Sequence, residues 1–172
     1  AIESENFAIF SKLIRLGAHK HAKDFTRMSL LHDACVSNSF EIAEKLIELG
    51  VDVNCKDNKE WTPVHYTCFL CDTKILLLLI QSGADVDCTE HRYRTPMHMA
   101  CCRGLLEHFK VLLAAGANIT GSDYEGLTPF HDACRSENKE IIRKLQSLNV
   151  DTHARNHMGQ TPYEFGKNGR IL

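Results

Sequence analysis

The chain has 172 residues, of which 44% are hydrophobic and 24% charged, and its net charge is −2. A near-neutral charge excludes a global field that would draw in nucleic acid or anionic lipid. The most apolar run, residues 75–80, is far too short to cross a bilayer.

Taken in chain order, the sequence repeats itself every 33 residues. Residues 1–23 read as a partial first unit entered in mid-helix, since Ala1 stands 33 before Ala34; its last helix stops at Gly17. The unit 24–56 opens on Asp24 and the loop tip Phe25-Thr26-Arg27-Met28. A first helix follows from Ser29-Leu30-Leu31-His32, and a second carries Ile42, Leu46 and Ile47 at helical spacing up to Gly50. The unit 57–89 has the tip Asn58-Lys59-Glu60-Trp61, then Thr62-Pro63-Val64-His65, and ends its second helix at Gly83. The unit 90–122 repeats the order with His91-Arg92-Tyr93-Arg94, Thr95-Pro96-Met97-His98 and Gly116. The unit 123–155 does so with Tyr124-Glu125-Gly126-Leu127, Thr128-Pro129-Phe130-His131 and Asn149. A partial last unit, 156–172, keeps Thr161-Pro162-Tyr163 but has Glu164 where the histidine would stand.

Each marker has a physical reason. Threonine is an N-cap whose hydroxyl accepts from an orphan amide of the first turn. Proline suits the first helical position, where a missing N–H loses nothing. Glycine or asparagine just past the helix end adopts the left-handed conformation. Arg27, Glu60 and Tyr93 stand where Gly126 and Gly159 stand in the later loops. Either those turns differ in type, or a residue with a Cβ is strained there. A fixed period of this length is the signature of a stacked-repeat solenoid, which works through an extended surface rather than a pocket.

The period also recasts the chemistry-bearing residues. His32, His65, His98 and His131 are one row of it, as are Cys35, Cys68, Cys101 and Cys134, and Cys55 and Cys88 form another pair. Recurrence at fixed register marks scaffold positions, where cysteine serves as a small apolar side chain. Only Cys71 and Cys102 fall outside, too few ligands for a zinc site. No nucleophile elbow, phosphate loop or dinucleotide fingerprint is present. The chain is therefore expected to be no enzyme and to use no metal or cofactor. Free packing thiols fit a reducing compartment, cytoplasm or nucleus.

The pattern resembles the ankyrin repeat family over essentially the whole length. The resemblance implies an all-α solenoid of helix-turn-helix units joined by hairpin-like loops, as one domain over 1–172. It makes His32, His65, His98 and His131 structural residues that bond between neighbouring loops. It implies a protein–protein interaction module that grips its partner on a concave face of loop tips and first helices. The other function entertained is a regulatory or targeting region of a larger kinase, ubiquitin-ligase adaptor, channel or transcription regulator, contacting its own chain. Neither end shows a polar cap, so a fragment of a longer protein, monomeric when isolated, is expected.

Departures from repetition carry the identity. Trp61, Tyr66, Phe69, Leu70, Tyr93 and Met99, with Arg92, Arg94 and Arg103, are expected to cluster on the concave face, because aromatic and arginine anchors make interface hot spots. Asp33 and Asp132 are expected to be exposed beside them. The partner expected is a protein segment with apolar side chains and some acidic character, not nucleic acid and not membrane. Leu77 and Leu78 stand where other units carry mostly polar residues, a candidate second contact surface. The stretch Leu46 to Asn54 resembles the ankyrin-repeat pattern modified by an asparaginyl hydroxylase, which makes Asn54 a candidate hydroxylation site.

Overall fold

The computed structural model describes residues 2–168, with side chains described for 6–167. Among the described residues there are ten helices and no strand, as the all-α expectation requires. They are α1 (Ile2–Arg15), α2 (Leu30–Val36), α3 (Phe40–Glu48), α4 (Pro63–Thr67), α5 (Lys74–Gln81), α6 (Pro96–Cys102), α7 (Leu106–Ala114), α8 (Pro129–Ser136), α9 (Lys139–Ser147) and α10 (Pro162–Asn168). None is long and apolar enough to cross a membrane. The chain forms two compact blocks, Ala1–Asp85 and Val86–Leu172.

Helices of five to nine residues (α4 and α7 are examples) cannot stand alone in water, so packing must hold them. In the first block α2 packs on α3 and α4, burying Leu31, Ala34, Leu46 and Val64. In the second block α8 packs on α6, α9 and α10, burying Met97, Phe130, Ala133 and Ile141. The small residue at each first-helix midpoint is enclosed: Ala34 and Thr67 in one block, Ala100 and Ala133 in the other. The repeated cysteines 35, 68, 101 and 134 are likewise buried thiols, and burial pushes Cys35 up and Cys134 up to about 11.

The histidines tie successive repeats together. His32 Nδ1 accepts from the Ser29 amide at 3.1 Å, and His98 and His131 Nδ1 accept from Thr95 and Thr128 at 3.2 and 3.1 Å. At the far side of each ring, Nε2 faces a carbonyl of the next loop: Trp61 O at 3.1 Å, Leu127 O at 3.1 Å and Gln160 O at 3.2 Å. An amide can only donate and a carbonyl can only accept, so each ring is neutral with its proton on Nε2. A second proton would be forced onto Nδ1 against an N–H donor. Burial accordingly lowers the pKa of His32, His98 and His131, that of His98 to about 4.

Acidic or amide side chains organise the loops. One oxygen of Asp24, Asp57, Glu90, Asp123 and Asn156 accepts from the amides two and four residues on, as Asp57 Oδ1 does from Lys59 at 2.7 Å and Trp61 at 2.9 Å. This locks the turn and gives one answer to the question left by Arg27, Glu60 and Tyr93. All three adopt positive φ (63°, 62° and 59°), like Gly126 at 76° and Gly159 at 75°, so the turn type is the same and the side chains are strained. The helix stops behave as expected: Gly50, Gly83 and Gly116 have φ of 74°, 86° and 86°, and Asn149 has 57°.

Two outcomes follow from these bonds. Glu60→Gly relieves a left-handed residue at the cost of a looser unfolded chain, and should raise stability by about 0.5–1 kcal/mol in thermal denaturation. His98 has a folded pKa of about 4 against 6.5 unfolded, so its contribution is present above 6.5 and lost as pH falls toward 4. The wild-type chain should therefore lose about 2 kcal/mol more than His98→Gln between pH 7 and 5, when both are followed by urea denaturation across pH.

Candidate binding surface

In the first block the loop between Asp57 and Thr62 delivers Trp61 onto the first helix of its own repeat. The indole lies 5.8 Å from His65, 5.3 Å from Tyr66 and 5.5 Å from Phe69, stacked on the last at 26°. Tyr66 meets His32 edge-on at 5.4 Å and donates its hydroxyl to Asp57 Oδ2 at 2.7 Å. Burial and the Asp57, Asp24 and Asp33 charges hold that phenol well above its ordinary range. Trp61 Nε1 is buried and finds no acceptor among the described residues, so stacking rather than hydrogen bonding fixes the ring. Phe69 is 48% exposed, while Trp61, Tyr66 and Leu70 are half-buried. Four of the expected anchors are thus in this block, three of them in one aromatic cluster.

In the second block Tyr93 is 61% exposed on its strained turn, and Arg92 and Arg103 are exposed. Two expectations need correction. Met99 is 7% exposed and Asp132 is 0% exposed, so neither is a surface residue. The reason is tertiary: α6 and α8 pack closely, and the position after the histidine is enclosed between them. Arg94 turns inward as well. Its Nη2 lies 3.1 Å from Asp132 Oδ2, and its Nε 3.9 Å from Asp123 Oδ2. Arg135 Nη2 holds the other oxygen of Asp132 at 3.0 Å and places its guanidinium 5.5 Å over the Phe165 ring. Burial pushes Asp132 up to about 6 against the pull of both arginines, and the pairing holds Arg94 above its usual range despite its own burial. Arg94 is therefore engaged inside the block.

The remaining candidates have plain settings. Leu77 is 42% exposed and Leu78 half-buried, while Leu76 and Leu79 fill the core. Asn54 is exposed but bonded across to the next repeat, donating to Gly83 O at 3.2 Å and accepting from Asp85 N at 2.8 Å. Cys71 is exposed, and Cys102 is half-buried with Arg135 Nη2 at 2.6 Å from its sulfur. Among the described residues no group of three histidine, cysteine or acidic side chains converges on a point that could hold a metal.

Sequence reading missed the Arg94–Asp132–Arg135 network. A signal existed: aspartate recurs after the histidine only at Asp33 and Asp132, and only Asp132 has an arginine one helical turn on. It also took the acidic residue at each repeat start as a marker without seeing that it builds the turn.

A family model described as ankyrin repeats, three copies, matches residues 1–90 and again 71–156. The chain belongs to the ankyrin-repeat family. Members are generally protein–protein interaction modules and typically non-catalytic. No curated protein matches the chain.

Removing one partner of a buried charge leaves the other uncompensated. Arg94→Leu should destabilise the fold by about 3 kcal/mol in urea denaturation, since Asp132 keeps only Arg135. Arg92→Leu, on the exposed neighbour, should change stability by less than about 0.5 kcal/mol.

Proposed function

We propose that the chain binds a partner protein segment on the face formed by its loop tips and first helices. The observation that carries this is the aromatic cluster of the first block, which leaves Phe69 48% exposed. A stacked Trp61–Phe69 pair with Phe69 half in solvent is expensive to leave uncovered, and large apolar patches on a protein surface usually mark contacts. Strain points the same way in the second block. Tyr93 occupies a left-handed turn that glycine fills in two other loops, and it uses that turn to hold a ring 61% in solvent. Backbone strain retained under an exposed aromatic favours a role for the side chain.

The anchors on this reading are Trp61, Tyr66, Phe69 and Leu70 in the first block and Tyr93 in the second, with Arg92 and Arg103 offered to acidic groups of the partner. Arg94 and Met99 act from below, holding the surface in place. Leu77, exposed on α5, is a second contact of lesser extent. Six of the eight thiols are buried in packing positions, which suits a reducing compartment such as cytoplasm or nucleus.

Affinity capture from cell extract followed by mass spectrometry tests the reading. The Trp61→Ala/Phe69→Ala chain, checked for retained helical circular dichroism, should lose the proteins that the wild-type chain retains. Truncating the better anchor should weaken the captured partner by about 2 kcal/mol. Identical captures from both chains would place the contact surface elsewhere.

A further inference from the structure

The first block presents apolar side chains and carboxylates side by side. Val36 is 52% exposed at the end of α2, one turn after Asp33. Tyr66 joins them to the Trp61–Phe69 stack: its ring meets that of His32, the residue before Asp33, at 5.4 Å, its hydroxyl donates to Asp57 Oδ2 at 2.7 Å, and its ring lies 5.3 Å from the indole. The three carboxylates are not equally engaged. Asp57 uses one oxygen for its loop and the other for Tyr66. Asp24 gives Oδ1 to its own loop. Asp24 Oδ2 and both oxygens of Asp33 have no hydrogen-bond or ion-pair partner among the described residues, and neither Lys23 nor Arg27 reaches them. Partial burial and the neighbouring Asp24 hold the Asp33 carboxyl above its ordinary range.

The second block displays what an aspartate at this register takes as a partner. Asp132 stands at the same place three repeats later, and it is gripped by two guanidiniums, at 3.1 and 3.0 Å. One of them, Arg135, also lies over an aromatic ring, and the residue at its register in the first block is Val36. The first block thus keeps the carboxylate and the adjacent rings while an exposed valine stands where the arginine would be. A planar guanidinium suits such a place better than an ammonium, because it bonds a carboxylate with two N–H groups and stacks on aromatic faces.

We propose that the first block receives an arginine of the partner segment, its guanidinium on Asp33 beside Asp24 and its methylenes, with a neighbouring apolar residue, against Val36, Tyr66 and the Trp61–Phe69 stack. The inference rests on the interaction reading above and specifies its chemistry for this block.

The test selects binders from a displayed library of random twelve-residue peptides on the 172-residue chain, and measures each as a dye-labelled peptide by fluorescence anisotropy. Arginine-bearing binders are expected. Replacing that arginine by citrulline, which removes the charge and keeps the shape, should weaken binding about tenfold, the scale of a charge-assisted hydrogen bond. Asp33→Asn, an exposed substitution that leaves the fold intact, should do the same, and the two changes together should cost little more than either alone. Val36→Arg, which would supply an internal guanidinium to Asp33, should also weaken binding. Peptides that depend on Trp61 and Phe69 but are indifferent to Asp33→Asn and to citrulline would overturn the inference and leave the interaction reading standing. Peptides that bind Trp61→Ala/Phe69→Ala equally well, or no binders at all, would overturn both.

Discussion

His32, His98 and His131 each commit both ring nitrogens: one to the amide that begins its own helix, the other to a carbonyl of the next loop. This pair of bonds converts a sequence period into a structure. Helices of two turns have no stability alone, and the hydrophobic effect that packs them is not directional. The histidine supplies direction. At His32, His98 and His131 it ties the start of the first helix to the loop that follows, so the helix and the next loop keep a fixed relation. The bond works only with a neutral ring, and burial keeps it neutral.

The loops are organised by the same economy. A carboxylate or amide at the head of each repeat takes two amides of its own turn, so the chain reverses without a strand ladder. That clamp is firm enough to hold arginine, glutamate and tyrosine in a conformation glycine adopts freely. Where a left-handed residue is tolerated, the side chain it carries is held away from the helices, as Tyr93 is. Scaffold and candidate contact surface are therefore made by the same turns.

Charge divides the two blocks. In the second, Asp132 is fully enclosed and satisfied by Arg94 and Arg135, so that region of the surface is neutralised from within. In the first, aspartate at the same register is exposed and has no such arginines. Identical register with different neighbours yields a buried ion cluster in one case and an open carboxylate in the other. A repeat protein diversifies in this way, by changing what surrounds a constant position.

The helix order, the caps and stops and the burial of the repeated cysteines were all legible in the sequence, because each depends on local rules recurring at a fixed period. Thr-Pro starts a helix and Gly50 ends one whatever lies nearby. The surface was legible only in part. Trp61, Tyr66 and Phe69 do gather, since they lie within one short segment. Met99 and Asp132 could not be placed from the chain alone, because exposure of a helix position depends on how closely the neighbouring helix approaches. Arg94 reads as a surface cation by composition, yet its partner lies 38 residues away. Local bonding determined the elements and their order; long-range packing and charge pairing decided which side chains remain at the surface.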